Sequence, residues 1–233
     1  MNKRVLVLTG TTNDPSNSND NTMEEVFDLT LPSKQRYSKK YGYDLLALRS
    51  FGNGDVYGFK DTDIGFLKAT RTFEMLRYYD IVMWIDADSI ITNHMPITDF
   101  PIEDNSFCAS YDWAWKESFS TGNFIIQRTN EFDQLFDIFL QIGKQCSGRL
   151  MQEQEVLNYM QKNTNLKNTM KSLEHRFLNA VPSFITETPT WKADNNRTGI
   201  VSPWSDDCFL AHLTGCTNHD RINLLRDKFA NHL

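Results

Sequence analysis

Asp86 and Asp88 follow directly on the apolar run Ile81-Val82-Met83-Trp84-Ile85. In an extended chain, side chains two residues apart point the same way, so both carboxylates can share one cation. Hard divalent ions such as Mg2+ and Mn2+ take oxygen ligands of this kind, and one held here would offset the charge of a diphosphate that this acidic protein otherwise repels. The plainer reading is two solvated turn residues after a strand. The wholly apolar run argues against it, because such a run belongs to a central strand whose end opens on the ligand-binding edge of a sheet. His212 follows its own apolar run, Phe209-Leu210-Ala211, and precedes Gly215-Cys216, a turn through which backbone can approach a phosphate closely. A lone histidine is more often a packed or surface residue. Joined to two carboxylates, it shifts the preference from Mg2+ toward Mn2+, which accepts nitrogen more readily.

The elements that must carry these residues are legible as alternating strands and helices. Arg4 to Gly10 is a β-branched apolar run ending in a polar cluster, Asn13 to Asn21, and predicts a buried parallel strand feeding a loop. Met23 to Tyr41 has loosely helical spacing, with the helix expected after Pro32, a residue suited to a first turn. Tyr43 to Leu48 reads as a strand and Ser50 to Gly58 as a loop. Phe66, Ala69, Phe73, Leu76 and Tyr79 recur at steps of three and four, predicting an amphipathic helix over Ile64 to Tyr79. Strands are expected at Phe107 to Tyr111 and Asn123 to Ile126, helices at Glu131 to Gly143 and Glu153 to Gln161. The tail reads as small strands and loops up to His212. The class is therefore α/β with a mostly parallel central sheet, one domain spanning residues 1–233.

Composition narrows the function. The 233 residues carry 24 Lys+Arg against 30 Asp+Glu, a formal charge of −6, which works against nucleic acid or an acidic membrane as partner. No stretch approaches the roughly 18 apolar residues of a membrane span, and Met1 to Leu8 lacks the form of a signal peptide, so a soluble, cytoplasmic chain is expected. Cys108, Cys146, Cys208 and Cys216 show no zinc-type pairing and read as free thiols.

Gly65-Phe66-Leu67-Lys68-Ala69 together with Met83 through Asn93 resembles the metal-binding region of GT-A glycosyltransferases. The chain is most similar to the galactosyl/xylosyltransferase family (GT34), which includes plant xyloglucan xylosyltransferases and yeast Golgi mannan enzymes. Lys34 to Asp44, Thr121 to Arg128, Glu153-Gln154-Glu155-Val156-Leu157 and His212-Leu213-Thr214-Gly215-Cys216 resemble further family motifs in the same order, together covering most of Val5 to Cys216. The resemblance implies a GT-A fold and a nucleotide-sugar donor, with UDP as the nucleotide. It also implies Mn2+ as cofactor, with Mg2+ as substitute, and transfer with retention to a glycan or glycoprotein. Two positions depart from the pattern. Ser120 stands where the family has asparagine, and Thr217 where it has a basic residue near the diphosphate; Arg221 or Lys68 could supply that charge. Without the anchor and stem of Golgi members, the chain looks like an excised catalytic domain or a soluble relative, such as those of bacteria or large algal viruses.

Roles follow on this footing. Asp86, Asp88 and His212 are the metal ligands, with Asp86 also touching the ribose. Thr9, Gly10 and Thr11 lie near uracil and ribose, while Lys68, Ala87 and Gly215 complete the nucleotide-sugar site. Glu153 or Gln154 would steady the oxocarbenium-like sugar, or the acid would form a glycosyl intermediate. An inverting reaction would instead require a base, for which Asp112, Asp206 and Asp207 are candidates, so residues alone leave the stereochemistry open. Trp113 and Trp115 could stack on an acceptor pyranose, with Asp206 and Asp207 beside it; the plainer reading is core aromatics. Two rivals stand. A haloacid-dehalogenase-type phosphatase also ends a strand in D-x-D, but usually on its first strand and with Thr or Val where this chain has Ile90. A catalytically silent sugar-binding homologue would keep most of the pattern.

Overall fold

The computed structural model describes residues 3–11, 22–49, 57–59, 63–112, 118–146, 152–193 and 203–233. Strands β1 (Val5–Gly10), β2 (Asp44–Leu48), β3 (Ile81–Asp86), β5 (Phe107–Tyr111), β6 (Phe119–Gln127) and β7 (Met170–Leu173) form one sheet in the order β2-β1-β3-β6-β5-β7. The pairs β1–β2, β1–β3 and β5–β7 are parallel, while β6 runs antiparallel to both β3 and β5. All strands but β6 therefore point the same way, and the expected mostly parallel α/β sheet is the one observed. Strands β4 (Ser89–Ile91) and β8 (Leu210–His212) form a separate antiparallel ladder.

The two-residue alternation of β1 and β3 divides the core into layers. Leu6, Leu8, Val82 and Trp84 face helices α2 (Ile64–Met75), α3 (Phe132–Cys146) and α4 (Gln152–Asn163), packing on Phe66, Phe73, Phe139 and Leu157. Val5, Val7, Ile81, Met83 and Ile85 face the other way, toward Tyr37 of α1 (Thr22–Tyr41) and Phe177 and Leu178 of α5 (His175–Leu178). A third cluster joins Val26 of α1, Ile90 and Ala211 of the small ladder, and Ile222 and Leu225 of α7 (Asn218–Lys228), with the short α6 (Pro189–Ala193) contributing Trp191. Among the described residues no helix is long and apolar enough to cross a membrane.

Two expectations are corrected. The first helix does not wait for Pro32 but begins at Thr22 and carries the proline inside. An interior proline withholds an N–H from the carbonyl four residues back, at a cost of about 3 kcal/mol; complete burial of Val26, Phe27 and Tyr37 on both sides of it offsets that cost. The tail is also more helical than expected. Helix α7 begins at a Thr217 cap, whose Oγ1 accepts the Asp220 N–H at 3.2 Å. Its buried residues are only Ile222 and Leu225, too few to announce a helix by periodicity.

Candidate functional site

Asp86 closes β3, Ala87 and Asp88 form a turn, and β4 starts at Ser89. The carboxylates therefore converge through a turn rather than through the repeat of an extended strand. The ladder pairs Ser89 with His212, which brings the imidazole beside them. Ligand atoms of Asp86, Asp88 and His212 all lie within 4.8 Å of one another. One face of α1 grips this turn from behind. Thr30 Oγ1 donates to the Ala87 carbonyl at 2.6 Å, Lys34 Nζ to the Asp86 carbonyl at 3.0 Å, and Ser33 Oγ accepts the Ile91 N–H at 3.2 Å. From β6, Asn123 Oδ1 accepts the Asp86 N–H at 3.1 Å.

Each acid has its own counter-charge. Asp86 Oδ1 accepts Trp84 Nε1 at 2.6 Å, from the residue two before it on the same sheet face, and Lys68 Nζ lies 3.4 Å away. Lys68 also meets Glu153 Oε1 at 3.0 Å, and Thr121 Oγ1 donates to that same oxygen at 2.8 Å. Asp88 Oδ2 lies 2.9 Å from Arg221 Nη2 of α7, and its Oδ1 3.4 Å from His212 Nε2. Arg221 further donates from Nε to the Leu213 carbonyl at 3.0 Å, tying α7 to the end of β8.

Burial raises the Asp86 carboxyl above its ordinary range, a shift that Lys68 opposes. Burial acts the same way on Asp88 and Glu153. There Arg221 with His212, and Lys68 with Thr121, outweigh it and hold both carboxylates below their usual values. Burial disfavours charge on Lys68 too, but Asp86 and Glu153 overcome it and raise its pKa. Lys34, sealed beneath the turn, is brought down to about 7 by burial despite Asp88 and Asp86.

The donor set of two carboxylates and one imidazole suits a hard-to-borderline divalent cation such as Mg2+ or Mn2+. Space for it is kept by Gly122 of β6. A Cβ there would lie 2.4 Å from His212 Cε1, 2.9 Å from its Nε2 and 3.1 Å from Asp86 Oδ2. Only glycine leaves the gap between these groups open.

A cavity of about 530 Å³ opens over the cluster. Of the residues expected at the site, Gly10, Thr11, Lys68, Asp86, Ala87, Asp88, Asp112, Glu153, Gln154 and His212 line it. Thr9 is wholly buried behind it and is not among the lining residues. Gly215 follows the lining residue Thr214 and adopts a φ of 75°, which favours glycine. Asp206 and Asp207 sit exposed on the turn before β8 and are not among the lining residues, so the structure does not bring them to the site. Trp113 and Trp115 fall outside the described residues. Ser120, the departure from the asparagine pattern, lines the cavity beside Thr121. Reasoning from sequence missed Gly122, Trp84 and the clamp from α1, and left Arg221 unplaced. Thr217, where a basic residue was expected, instead caps the helix that delivers Arg221.

No protein-family model matches the sequence, and neither does any curated protein. Solved structures do match in fold. A glycosyltransferase involved in the glycosylation of the major capsid of PBCV-1 aligns over 96% of this chain and 98% of its own, at a TM-score of 0.62 and 13% identity. The galactosyltransferase LgtC, solved with donor and acceptor sugar analogues, aligns over 98% of this chain and all of its own, at 0.55 and 14%. The chain has the GT-A glycosyltransferase fold. WbbM, a bifunctional glycosyltransferase, matches over 97% of this chain and 50% of its own at 0.53 and 12%. Within the GT-A fold of this chain, the acidic cluster sits where β1 and β3 end level, Gly10 beside Asp86, at the carboxyl edge where α/β sheets bind ligands.

Proposed function

We propose that the protein is a metal-dependent glycosyltransferase that moves a sugar from a nucleotide-sugar donor to a hydroxyl of a glycan or glycoprotein. The observation that carries this reading is the Asp86–Asp88–His212 cluster, open to a cavity at the carboxyl edge of the sheet. Two neighbours in fold add support, one acting in capsid glycosylation and the other holding donor and acceptor sugar analogues.

Gly10 and Thr11 receive the nucleoside, with UDP as the nucleotide. Thr11 lines the cavity next to Gly10, where its exposed atoms can meet ribose or base. Asp86, Asp88 and His212 hold Mn2+, or Mg2+ in its place. When bound, the cation supplies Lewis-acid stabilisation of negative charge on the diphosphate. Arg221 keeps Asp88 ionised and lends positive charge to the same wall of the cavity. Lys68 spans Asp86 and Glu153, so it fixes both acids rather than swinging toward phosphate.

Glu153 remains charged and pinned by Lys68 and Thr121, so it acts as a fixed negative charge facing the positive sugar of the transition state. Gln154 accepts from the Thr121 N–H at 3.2 Å and donates through Nε2 to Asp112 Oδ2 at 3.2 Å. That bond ties Asp112 to the Glu153–Gln154 side of the cavity, within reach of an acceptor hydroxyl. Retention is the outcome expected, with the acceptor proton passing to the departing diphosphate oxygen.

Nucleotide release from a panel of UDP- and GDP-sugars, with and without Mn2+, tests the reading. Release from one donor that needs Mn2+ and is lost in Asp88→Ala is the expected result. Phosphatase activity toward a simple phosphate ester in the same samples, unaccompanied by donor turnover, would overturn it.

A further inference from the structure

Asn179 is 1% exposed and lies just past α5, outside every role assigned above. Its Nδ2 donates to the Tyr111 carbonyl at 2.8 Å, and its Oδ1 meets His212 Nδ1 at 2.8 Å. A backbone carbonyl only accepts, so the Tyr111 oxygen determines which end of the amide faces it. The amide oxygen must then face the imidazole. An amide oxygen also only accepts, so Nδ1 must carry the proton, which leaves a bare lone pair on Nε2 in the neutral ring.

That lone pair points to the acid side of the site, 3.4 Å from Asp88 Oδ1. In a neutral ring this lone pair faces a carboxylate oxygen, a meeting of two acceptors that either a proton on Nε2 or a bound cation relieves. The next residue holds the same histidine by its backbone: the Ala180 carbonyl accepts the His212 N–H at 2.9 Å, and Ala180 bridges to Ala211 of β8.

We propose that Asn179 is a positioning residue that holds His212 in the Nδ1–H tautomer and so presents its Nε2 lone pair to the cation. The inference rests on the reading of Asp86, Asp88 and His212 as a metal site. It also links that site to the strand end carrying Asp112, since the Tyr111 carbonyl that orients the amide belongs to the residue before it.

Imidazole 15N NMR of the metal-free protein at about pH 8 reads the tautomer directly. A proton on Nδ1 of His212 is expected. A bare Nδ1 with the proton on Nε2 overturns the proposal without any variant. Mn2+ titration followed by electron paramagnetic resonance then separates position from fold. Asn179→Leu should bind Mn2+ about 10- to 100-fold more weakly, the range for loss of a partner behind a metal-bound histidine. Asn179→Asp, which loses the donor to the Tyr111 carbonyl but still accepts from Nδ1–H, should lose clearly less affinity than Asn179→Leu. Wild-type affinity in Asn179→Leu, or an equal loss in both variants, refutes the positioning role. Failure of the wild-type protein to bind Mn2+ removes the metal-site reading itself and is told apart by that result alone.

Discussion

Gly122→Ala tests the metal site at its tightest point. The new methyl carbon would stand 2.4 Å from His212 Cε1 and 2.9 Å from Nε2, where carbon atoms ordinarily meet at about 3.5–4.0 Å. The imidazole must therefore move by roughly 1 Å, or the β6 backbone must, and overpacking of this kind costs about 1–3 kcal/mol. A ring shifted that far falls outside the ±0.2 Å or so that metal–ligand distances tolerate. If the ring yields, the strain appears as lost affinity, and at about 1.4 kcal/mol per tenfold it predicts Mn2+ binding weaker by about 10- to 100-fold. Electron paramagnetic resonance titration of Mn2+ measures this, with thermal unfolding followed in the presence and absence of the ion. Gly42→Ala serves as control: its Cβ would meet nothing within 4 Å, although its φ of 68° strains any side chain. It should lose stability and keep Mn2+ affinity. A Gly122→Ala protein that binds Mn2+ as tightly as wild type would refute the claim that this glycine keeps the ligand gap open.

Arg221→Met leaves the buried Asp88 carboxylate without its main counter-charge and should cost about 3–5 kcal/mol in metal-free urea unfolding. Saturating Mn2+ should restore more stability to this variant than it adds to wild type, because the ion replaces the missing charge. Lys68→Met should show a stability deficit that shrinks between pH 7 and about pH 3. Glu153, held below its ordinary 4.5 by Lys68 against burial, contributes stability above that value and loses it as pH falls. Urea unfolding at the two pH values checks the sign. Burial pushes the Cys108 thiol up to about 12 and that of Cys216 up to about 11. Iodoacetamide should therefore label half-buried Cys146 well before either in the native protein, read by peptide mass spectrometry.

The central frame was legible because its residues obey one rule at a time. Ile81 to Ile85 is apolar on both faces and became a strand covered on both sides; Phe107 to Tyr111 matched its strand end to end. Asp86, Asp88 and His212 stood out because polar ligands followed apolar runs. What stayed hidden depends on pairings between distant segments. Arg221 reaches Asp88 from a helix with little apolar periodicity, and Lys34 looks like one more lysine of a charged helix until α1 is docked on the turn. The proline at 32 marks a helix start by local preference, and tertiary burial overrode that preference. Gly122 lay just ahead of the strand expected at Asn123 to Ile126, so the meaning of a glycine inside a strand, close approach of another group, appeared only once β6 was seen to begin at Phe119.

The β4–β8 ladder completes the candidate metal cluster late in the life of each chain. Asp86 and Asp88 leave the ribosome long before His212 and Arg221 do, and until β8 pairs with Ser89 the two acids have neither imidazole nor guanidinium beside them. Closing so long a loop costs entropy, and an ion that binds only the closed form returns part of it by mass action. A cation held by all three ligands would thus mark a finished molecule, since a chain stalled or clipped ahead of residue 210 lacks both His212 and Arg221.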